Sequence, residues 1–183
     1  MLLNVPHYLQ NIDLNEYKQN SKVNKIYDFK YLNRSCCGFT CLQMCLKYFL
    51  NTDDTLISIL EKSLQFNVLQ KGIGSIHYNL TQLARFYGLN ACLIFEEKRD
   101  RFLNLAKFML YNNILIIASV KTKILKGNKD KKGGHLVLIK GIDKNFFYIN
   151  DPDNQSNYAI LNQKVEFDRF FENFSGNIIC ISK

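Results

Sequence analysis

The residue best placed for chemistry is Cys37, which stands where a predicted loop ends and an amphipathic helix begins. A thiol in the first turn of a helix feels the positive end of the helix dipole and nearby unpaired backbone N–H groups. Both favour the thiolate, so the position suits a nucleophile. Gly38 allows backbone to approach closely, because it has no Cβ. Cysteines further along a buried helix are most often small apolar residues, which is how we interpret Cys41 and Cys45.

A base for this thiol is found in a predicted β-hairpin. A turn centred near Asp143 places His135 opposite Asp151 at the open end of the hairpin. Antiparallel neighbours have Cβ atoms about 5 Å apart, close enough for a carboxylate to accept a hydrogen bond from an imidazole. Pro152 then ends the strand, because it has no N–H to donate. The pattern predicts a base held by a carboxylate beside a thiol, which is the general arrangement of an activated nucleophile.

The other candidate side chains have simpler interpretations. Of the three histidines, His7 lies in an extended N-terminal segment and His77 opens a helix, and we interpret both as structural or exposed. Cysteines recur every four residues from Cys37, but no CxxC pair or nearby histidine completes a zinc set. We therefore predict no metal and no cofactor. A thiol redox or metal protein is the alternative, in which Cys36 and Cys41 matter as much as Cys37.

Apolar periodicity places these residues on a scaffold that is helical first and β-rich later. The cysteine helix carries an inward stripe made of Phe39, Leu42, Leu46 and Phe49. Further helices are predicted at 56–64, 76–87, 101–111 and 165–174, and strands at 91–95, 114–120, 135–139, 146–149 and 178–181. Residues 11–34 are polar with little period, and we predict a long surface excursion there. Helices followed by strands predict an α+β fold.

The totals are those of an ordinary globular protein. At 183 residues the chain suits a single domain, 1–183, and 47% apolar with 22% charged residues is a typical balance. The longest apolar run, 114–120, is too short to span a bilayer, so we predict no membrane insertion. The N-terminus lacks the pattern of a secretory signal, which predicts a cytoplasmic location with reduced thiols. Export by a signal-independent route stays open.

The net charge of +8 raises the question of an acidic partner. Basic residues concentrate in two polar stretches, 18–34 and 121–132, which we interpret as solvated loops. No aromatic interleaving or nucleic-acid motif accompanies them, so we predict no nucleic-acid partner. If the two stretches flank a cleft, they bias it toward acidic substrates.

Four segments resemble one known family. Residues 37–44 (CGFTCLQM) with Lys47 and Tyr48 resemble the cysteine motif of the peptidase C39 and C39-like group, which are papain-like enzymes best known for removing leader peptides that end in double glycine. Residues 134–143 resemble the histidine strand of that family, and residues 148–152 resemble its Asp-Pro signature. Residues 5–10 resemble the opening segment, whose glutamine helps to form the oxyanion hole.

The resemblance implies a papain-like cysteine peptidase fold, in which a helical N-terminal half packs the nucleophile helix on an antiparallel sheet from the C-terminal half. It implies a thiol protease that cleaves a peptide or protein through a thioester on Cys37. His135 is then general base and acid, Asp151 orients it, and Gln10 with the Cys37 N–H stabilises the oxyanion. No cofactor is needed, and the oligomeric state is left open.

Two departures and two alternatives accompany the resemblance. Phe39 stands where the family commonly has Pro or Leu, and Cys36 duplicates the thiol. Neither a membrane span nor a P-loop of a transporter is found, which predicts a stand-alone domain. The alternatives are a catalytically silent peptide-binding module of the same fold and an acyl transferase that uses the same residues.

Overall fold

The computed structural model of the protein describes residues 1–121, 134–153 and 163–183. Its helices are α1 Leu14–Gln19, α2 Ser21–Asn24, α3 Phe29–Ser35, α4 Cys37–Leu50, α5 Leu56–Ser63, α6 His77–Phe86, α7 Arg99–Tyr111 and α8 Phe167–Phe171. Its strands are β1 Leu69–Gln70, β2 Gly74–Ser75, β3 Asn90–Phe95, β4 Leu115–Lys121, β5 Gly134–Ile142, β6 Phe146–Asn150, β7 Gln163–Glu166 and β8 Phe174–Ser182. Most of the basic stretch 121–132 lies outside the described residues.

The described strands form a six-stranded antiparallel sheet in the order β3-β8-β4-β5-β6-β7, besides the small β1-β2 hairpin. Strand β4 lies inside this sheet and is buried at every position from Leu115 to Val120. A strand that is buried at every position must be packed against other elements on both of its faces, and the two faces of β4 belong to separate apolar clusters. Helix α4 belongs to one cluster and α7 to the other. The predicted α+β arrangement, helical first and β-rich later, is confirmed.

The prediction of a surface excursion for residues 11–34 is wrong. This stretch forms α1, α2 and α3, whose first turns are capped by the side chains of Asp13, Asn20 and Asp28. Val23 and Leu32 are fully buried. Helices of four to seven residues are too short to show an apolar period, and each depends on its cap and on tertiary contacts.

Two further predictions are corrected in the C-terminal half. The predicted helix 165–174 is strand β7 followed by α8, which has five residues, and β8 already begins at Phe174. In the hairpin, Leu138 faces Asn150 and Ile142 faces Phe147, so the turn is centred at Lys144 or just after it and not at Asp143. A bulge between Ile139 and Gly141 shifts the register.

Residues 1–12, here called the N-terminal strap, run along β5 and past the end of β6. The Met1 amino group donates to Ile142 O at 2.8 Å, and Leu3 N donates to Lys140 O at 2.9 Å. Asn150 Nδ2 donates to Pro6 O at 2.9 Å. These bonds hold the strap along its length, so the residues that it carries have fixed positions on the sheet.

Within the described ranges, no helix has the length and apolar character needed to cross a membrane. The nearest candidate in the sequence, the run 114–120, is strand β4 with the loop residue before it.

The cluster under α7 contains a group of phenylalanines among its aliphatic residues. Phe102 of α7 is fully buried, and its ring centroid lies 4.7 Å from that of Phe174 and 5.8 Å from that of Phe147. Its ring also stacks on Phe170. Aromatic burial of this kind holds α7 and α8 on their face of the sheet.

We expect Phe102→Ala to lower the free energy of unfolding by about 3–5 kcal/mol, since it leaves a cavity among these rings. The matched control is Phe108→Ala in the same helix, where the side chain is 63% exposed and the expected change is within about 0.5 kcal/mol. Urea denaturation followed by circular dichroism measures both. Equal losses in the two variants would contradict this assignment of the core.

Candidate active site

Cys37 is the first residue of α4, and Cys36 occupies the N-cap position before it. Cys37 is half-buried, whereas Cys36, Cys41 and Cys45 are fully buried. Thr40 Oγ1 donates to Cys36 O at 3.0 Å within this first turn. The helix therefore presents one accessible thiol at its N-terminus and buries the thiols on either side of it.

Gly38 brings this end of α4 very close to its neighbours. A Cβ on Gly38 would lie 2.8 Å from Ser75 Oγ, 2.9 Å from Leu136 Cδ1 and 3.1 Å from Leu80 Cδ2. The sequence predicts close backbone approach at Gly38, and the neighbours that use the space are side chains of the protein itself. Because Leu136 follows His135 on β5, this close approach also brings the Cys37 thiol to His135.

His135 and Asp151 form a short hydrogen bond, with His135 Nε2 at 2.6 Å from Asp151 Oδ1. Their side chains are 11% and 4% exposed. His135 lies near the start of β5 and Asp151 follows the last residue of β6, so the two adjacent strands end at the same place. Asp151 Oδ1 also accepts the backbone N–H of Asp153 at 2.9 Å, which fixes the carboxylate.

The two ring nitrogens of His135 have different partners, Asp151 and Cys37. A carboxylate accepts, so Nε2 carries the proton in the bond to Asp151. The other nitrogen, Nδ1, then serves the side-chain hydrogen bond that joins His135 to Cys37. The three groups therefore form a chain from carboxylate to imidazole to thiol.

Their electrostatics favour an ion pair. Burial disfavours charge on the His135 ring, but its hydrogen bonds to Asp151 and Cys37 and the attraction of both groups raise its pKa well above the ordinary value. Burial likewise opposes charge on Cys37, but His135 and the backbone at Leu136 and Gly38 outweigh it and lower the pKa of the thiol. Thiolate and imidazolium thus stabilise each other.

The neighbouring thiols respond in the opposite direction. Burial raises the pKa of Cys36, Cys41 and Cys45, and repulsion from Cys37 adds to the effect at Cys36 and Cys41. These three cysteines therefore remain protonated in the apolar core. Among the described residues, no group of three His, Cys, Asp or Glu side chains could hold a metal ion.

The N-terminal strap places Gln10 beside the segment that contains Asp151 and Pro152. Its backbone N–H donates to Pro152 O at 2.8 Å, directly after Asp151, and its Nε2 donates to Asn33 O at 3.2 Å. Asn33 Oδ1 in turn accepts the backbone N–H of Ile12 at 3.0 Å. Gln10 is thus held between the end of α3 and the segment that follows β6.

Two residues at the site were not recognised in the sequence. His7 Nε2 donates to Asp151 O at 2.8 Å, so His7 braces the acidic residue through its backbone. This contact agrees with the predicted structural role of His7, but the sequence does not identify Asp151 as its partner. The only sequence feature that links His7 to the site is its position three residues before Gln10. Asn33, whose carbonyl accepts the Gln10 side chain, belongs to no recognisable sequence motif. His77 opens α6 as predicted, and burial lowers its pKa.

Comparison with known proteins identifies relatives of this arrangement. Residues 2–179 match the sequence model of the Peptidase_C39 like family. No curated protein matches the chain. A solved structure of a candidate C39-like peptidase from Bacillus anthracis is 16% identical with a TM-score of 0.65, and the match covers 100% of this chain and 96% of that one.

Two further solved structures are similar. The peptidase domain of Streptococcus ComA is 16% identical with a TM-score of 0.60, and 96% of this chain and 97% of that chain are covered. A double glycine motif protease from an AMS/PCAT transporter, in complex with a leader peptide, is 22% identical with a TM-score of 0.53, and 80% and 84% are covered. At these identities the likeness shows the fold, and the predicted papain-like peptidase fold is confirmed.

We expect iodoacetamide to label Cys37 at pH values below the ordinary range for a thiol. In His135→Ala the imidazole is lost while burial, which raises the pKa, remains, so the labelling curve should move to higher pH. Peptide mass mapping after labelling at a series of pH values measures the curve. The control His77→Gln should leave it in place, and coincident curves for the wild type and His135→Ala would overturn the ion pair.

Proposed function

Since the chain belongs to the Peptidase_C39 like family, we propose that it is a cysteine peptidase that cleaves a peptide amide bond through a thioester on Cys37. The observation that carries the proposal is the bonded chain from Asp151 to His135 to Cys37, which ends on a thiol whose pKa is lowered. A peptide substrate is supported by the solved relative that holds a leader peptide.

The first half of the reaction forms the acyl-enzyme. The Cys37 thiolate attacks the carbonyl carbon of the scissile amide and converts its oxygen into an oxyanion. His135, which is protonated in the ion pair, then gives its Nδ1 proton to the leaving nitrogen. The C–N bond breaks, the amine departs, and the carbonyl carbon is joined to Cys37 as a thioester.

The second half restores the enzyme. His135 is now neutral and removes a proton from a water molecule, which attacks the thioester. The second oxyanion collapses, the carboxylic acid product leaves, and Cys37 departs as a thiolate beside the protonated ring. Each proton that His135 gives in the first half is recovered in the second.

Asp151 keeps the ring in the required state. Its bond to Nε2 selects the tautomer that directs Nδ1 to Cys37, and its charge stabilises the imidazolium. We assign to Asp151 the role of orienting group and not that of a proton acceptor.

The oxyanion hole is proposed to consist of the Cys37 backbone N–H and the Gln10 side chain. The first N–H groups of a helix have no partner within the helix, and Cys37 begins α4. Gln10 is held beside Pro152 and Asn33 by its own hydrogen bonds. Donors that are fixed before the reaction stabilise a developing charge without reorganisation.

We further propose that the described fold is one domain spanning 1–183, that it works without a cofactor, and that it resides in the cytoplasm. A reducing compartment suits the six free cysteines.

We expect the wild type to cleave members of a diverse peptide mixture, including peptides that contain a Gly-Gly pair, and Cys37→Ala to lower the rate by more than about 10⁴-fold. Liquid chromatography with mass spectrometry detects the products. The matched control is Cys36→Ala, which removes a buried thiol beside the nucleophile and should retain most of the activity.

Two results would contradict the peptidase. Cleavage that survives in Cys37→Ala would assign the chemistry to another group. Wild-type protein that binds peptides in the mixture and leaves all of them intact would instead indicate a peptide-binding module with this fold.

We expect kcat/KM to rise with pH as Cys37 loses its proton and to fall as His135 loses its proton. The bond to Asp151 raises the His135 pKa, so Asp151→Asn should move the alkaline limb to lower pH. The pH profile of cleavage measures both limbs. The control Asp168→Asn changes an exposed acidic residue paired with Arg99 and should leave the profile unchanged. An alkaline limb unmoved in Asp151→Asn would refute the assigned role.

A further inference from the structure

Two cysteines lie opposite each other on neighbouring strands, away from the proposed nucleophile. In the antiparallel pairing of β3 with β8, Cys92 faces Cys180 directly. Residues that face each other in such a ladder project to the same side and have Cα atoms about 4.5–5.5 Å apart. Disulfide-bonded cysteines have Cα atoms about 4.4–6.8 Å apart, so the strand register already provides the spacing that a disulfide needs.

The two side chains also interact. Cys92 contributes, after burial, to the raised pKa of Cys180, and Cys180 Sγ lies 3.5 Å from Met109 Sδ of α7. Cys92 is exposed, whereas Cys180 is 4% exposed. A reagent in solution can therefore reach the Cys92 thiol, whereas the neighbouring Cys180 thiol is shielded from solvent.

This pair is separate from the candidate active site. Cys180 belongs to the phenylalanine-rich cluster under α7, whereas Cys36, Cys41 and Cys45 belong to the cluster around α4. Ile179 and Ile181, the neighbours of Cys180 along β8, also belong to the α4 cluster. Because side chains alternate across a strand, Cys180 lies on the face of the sheet opposite to the nucleophile helix.

We propose that Cys92 and Cys180 are a second thiol site, which reacts with a small-molecule disulfide of the glutathione type and closes to a cross-strand disulfide. The Cys92 thiolate attacks one sulfur of the small disulfide, so a mixed disulfide forms on Cys92 and one small thiolate leaves. Cys180 loses its proton and attacks the Cys92 sulfur, which releases the second small thiol. The protein gives up two electrons and two protons, and the small disulfide is reduced to two thiols.

The order of the two steps follows from the surroundings of each thiol. Burial raises the pKa of Cys180, so it is a poor first nucleophile. Once Cys92 carries a mixed disulfide, the sulfur to be attacked belongs to the residue that faces Cys180 in the ladder, and this proximity offsets the weak acidity. The exposed thiol therefore captures the reagent and the buried thiol completes the bond.

The bond would join strands that are otherwise held by their ladder. In the described part of the sheet, β3 is the outermost strand on its side and pairs with β8. Edge strands are protected on one side only. The disulfide would covalently fix this edge, and reduction would release it.

The experiment uses a Cys37→Ala background, so that the proposed nucleophile does not form its own mixed disulfide. The protein is incubated with oxidised glutathione, digested without reduction and mapped by mass spectrometry. We expect the peptides that contain Cys92 and Cys180 to be joined, with the loss of two hydrogens, and to separate after treatment with dithiothreitol.

Three variants in that background make the result decisive. In Cys180→Ala, glutathione should remain on Cys92 as a mixed disulfide, and in Cys92→Ser neither product should form. Cys45→Ala, which removes a buried cysteine from the other cluster, should keep the cross-strand bond. If Cys180→Ala does not fold, the test rests on comparing Cys92→Ser with the parent protein, because Cys92 is exposed and its replacement leaves the core unchanged.

Two outcomes would overturn the proposal. One is glutathione that stays on Cys92 while Cys180 is present and free, and the other is a bond between Cys92 residues of two protein molecules. Neither outcome depends on peptide cleavage, so this test and that of the proposed peptidase can fail separately.

Discussion

The hydrogen bond between His135 and Asp151 is the contact on which the candidate site depends. It joins the start of β5 to the end of β6, and both side chains are almost completely buried. A buried acid and a buried imidazole are expensive to remove from water, and they are tolerated when each satisfies the other. Asp151 has further support from the Asp153 N–H and, through its carbonyl, from His7. The raised pKa of His135 and the lowered pKa of Cys37 both follow from this arrangement.

The cysteine end of the site depends on packing. Gly38 admits Ser75 and Leu136 at distances where a Cβ would clash, and this close contact places the first turn of α4 against the start of β5. The same α4 buries Cys41 and Cys45 on its way into the core. A single helix thus carries thiols of two kinds: His135 and the backbone at Leu136 and Gly38 lower the pKa of Cys37, whereas burial raises the pKa of Cys41 and Cys45.

The sequence predicted elements that have a strong local signal. The stripe of α4, the buried strand β4 and the hairpin of β5 and β6 were recognised, because their apolar periods extend over several residues. The hydrogen bond between His135 and Asp151 agrees with the predicted hairpin, but the turn lies later than predicted, so the register does not place the two residues directly opposite each other. Helices α1 to α3 were missed because they are too short to show a period, and their cap residues alone resemble loop composition.

Contacts between distant parts of the chain account for what sequence reasoning could not find. His7 meets Asp151, Gln10 meets Asn33, and neither pairing is marked by a spacing or a motif. Both depend on the strap, which is held by hydrogen bonds to β5 and to the end of β6. The candidate site therefore joins three segments that are remote in the sequence, and its geometry is a property of the complete fold. By contrast, Cys92 and Cys180 are placed by one strand register, so the proposed second thiol site needs only β3 and β8 to pair.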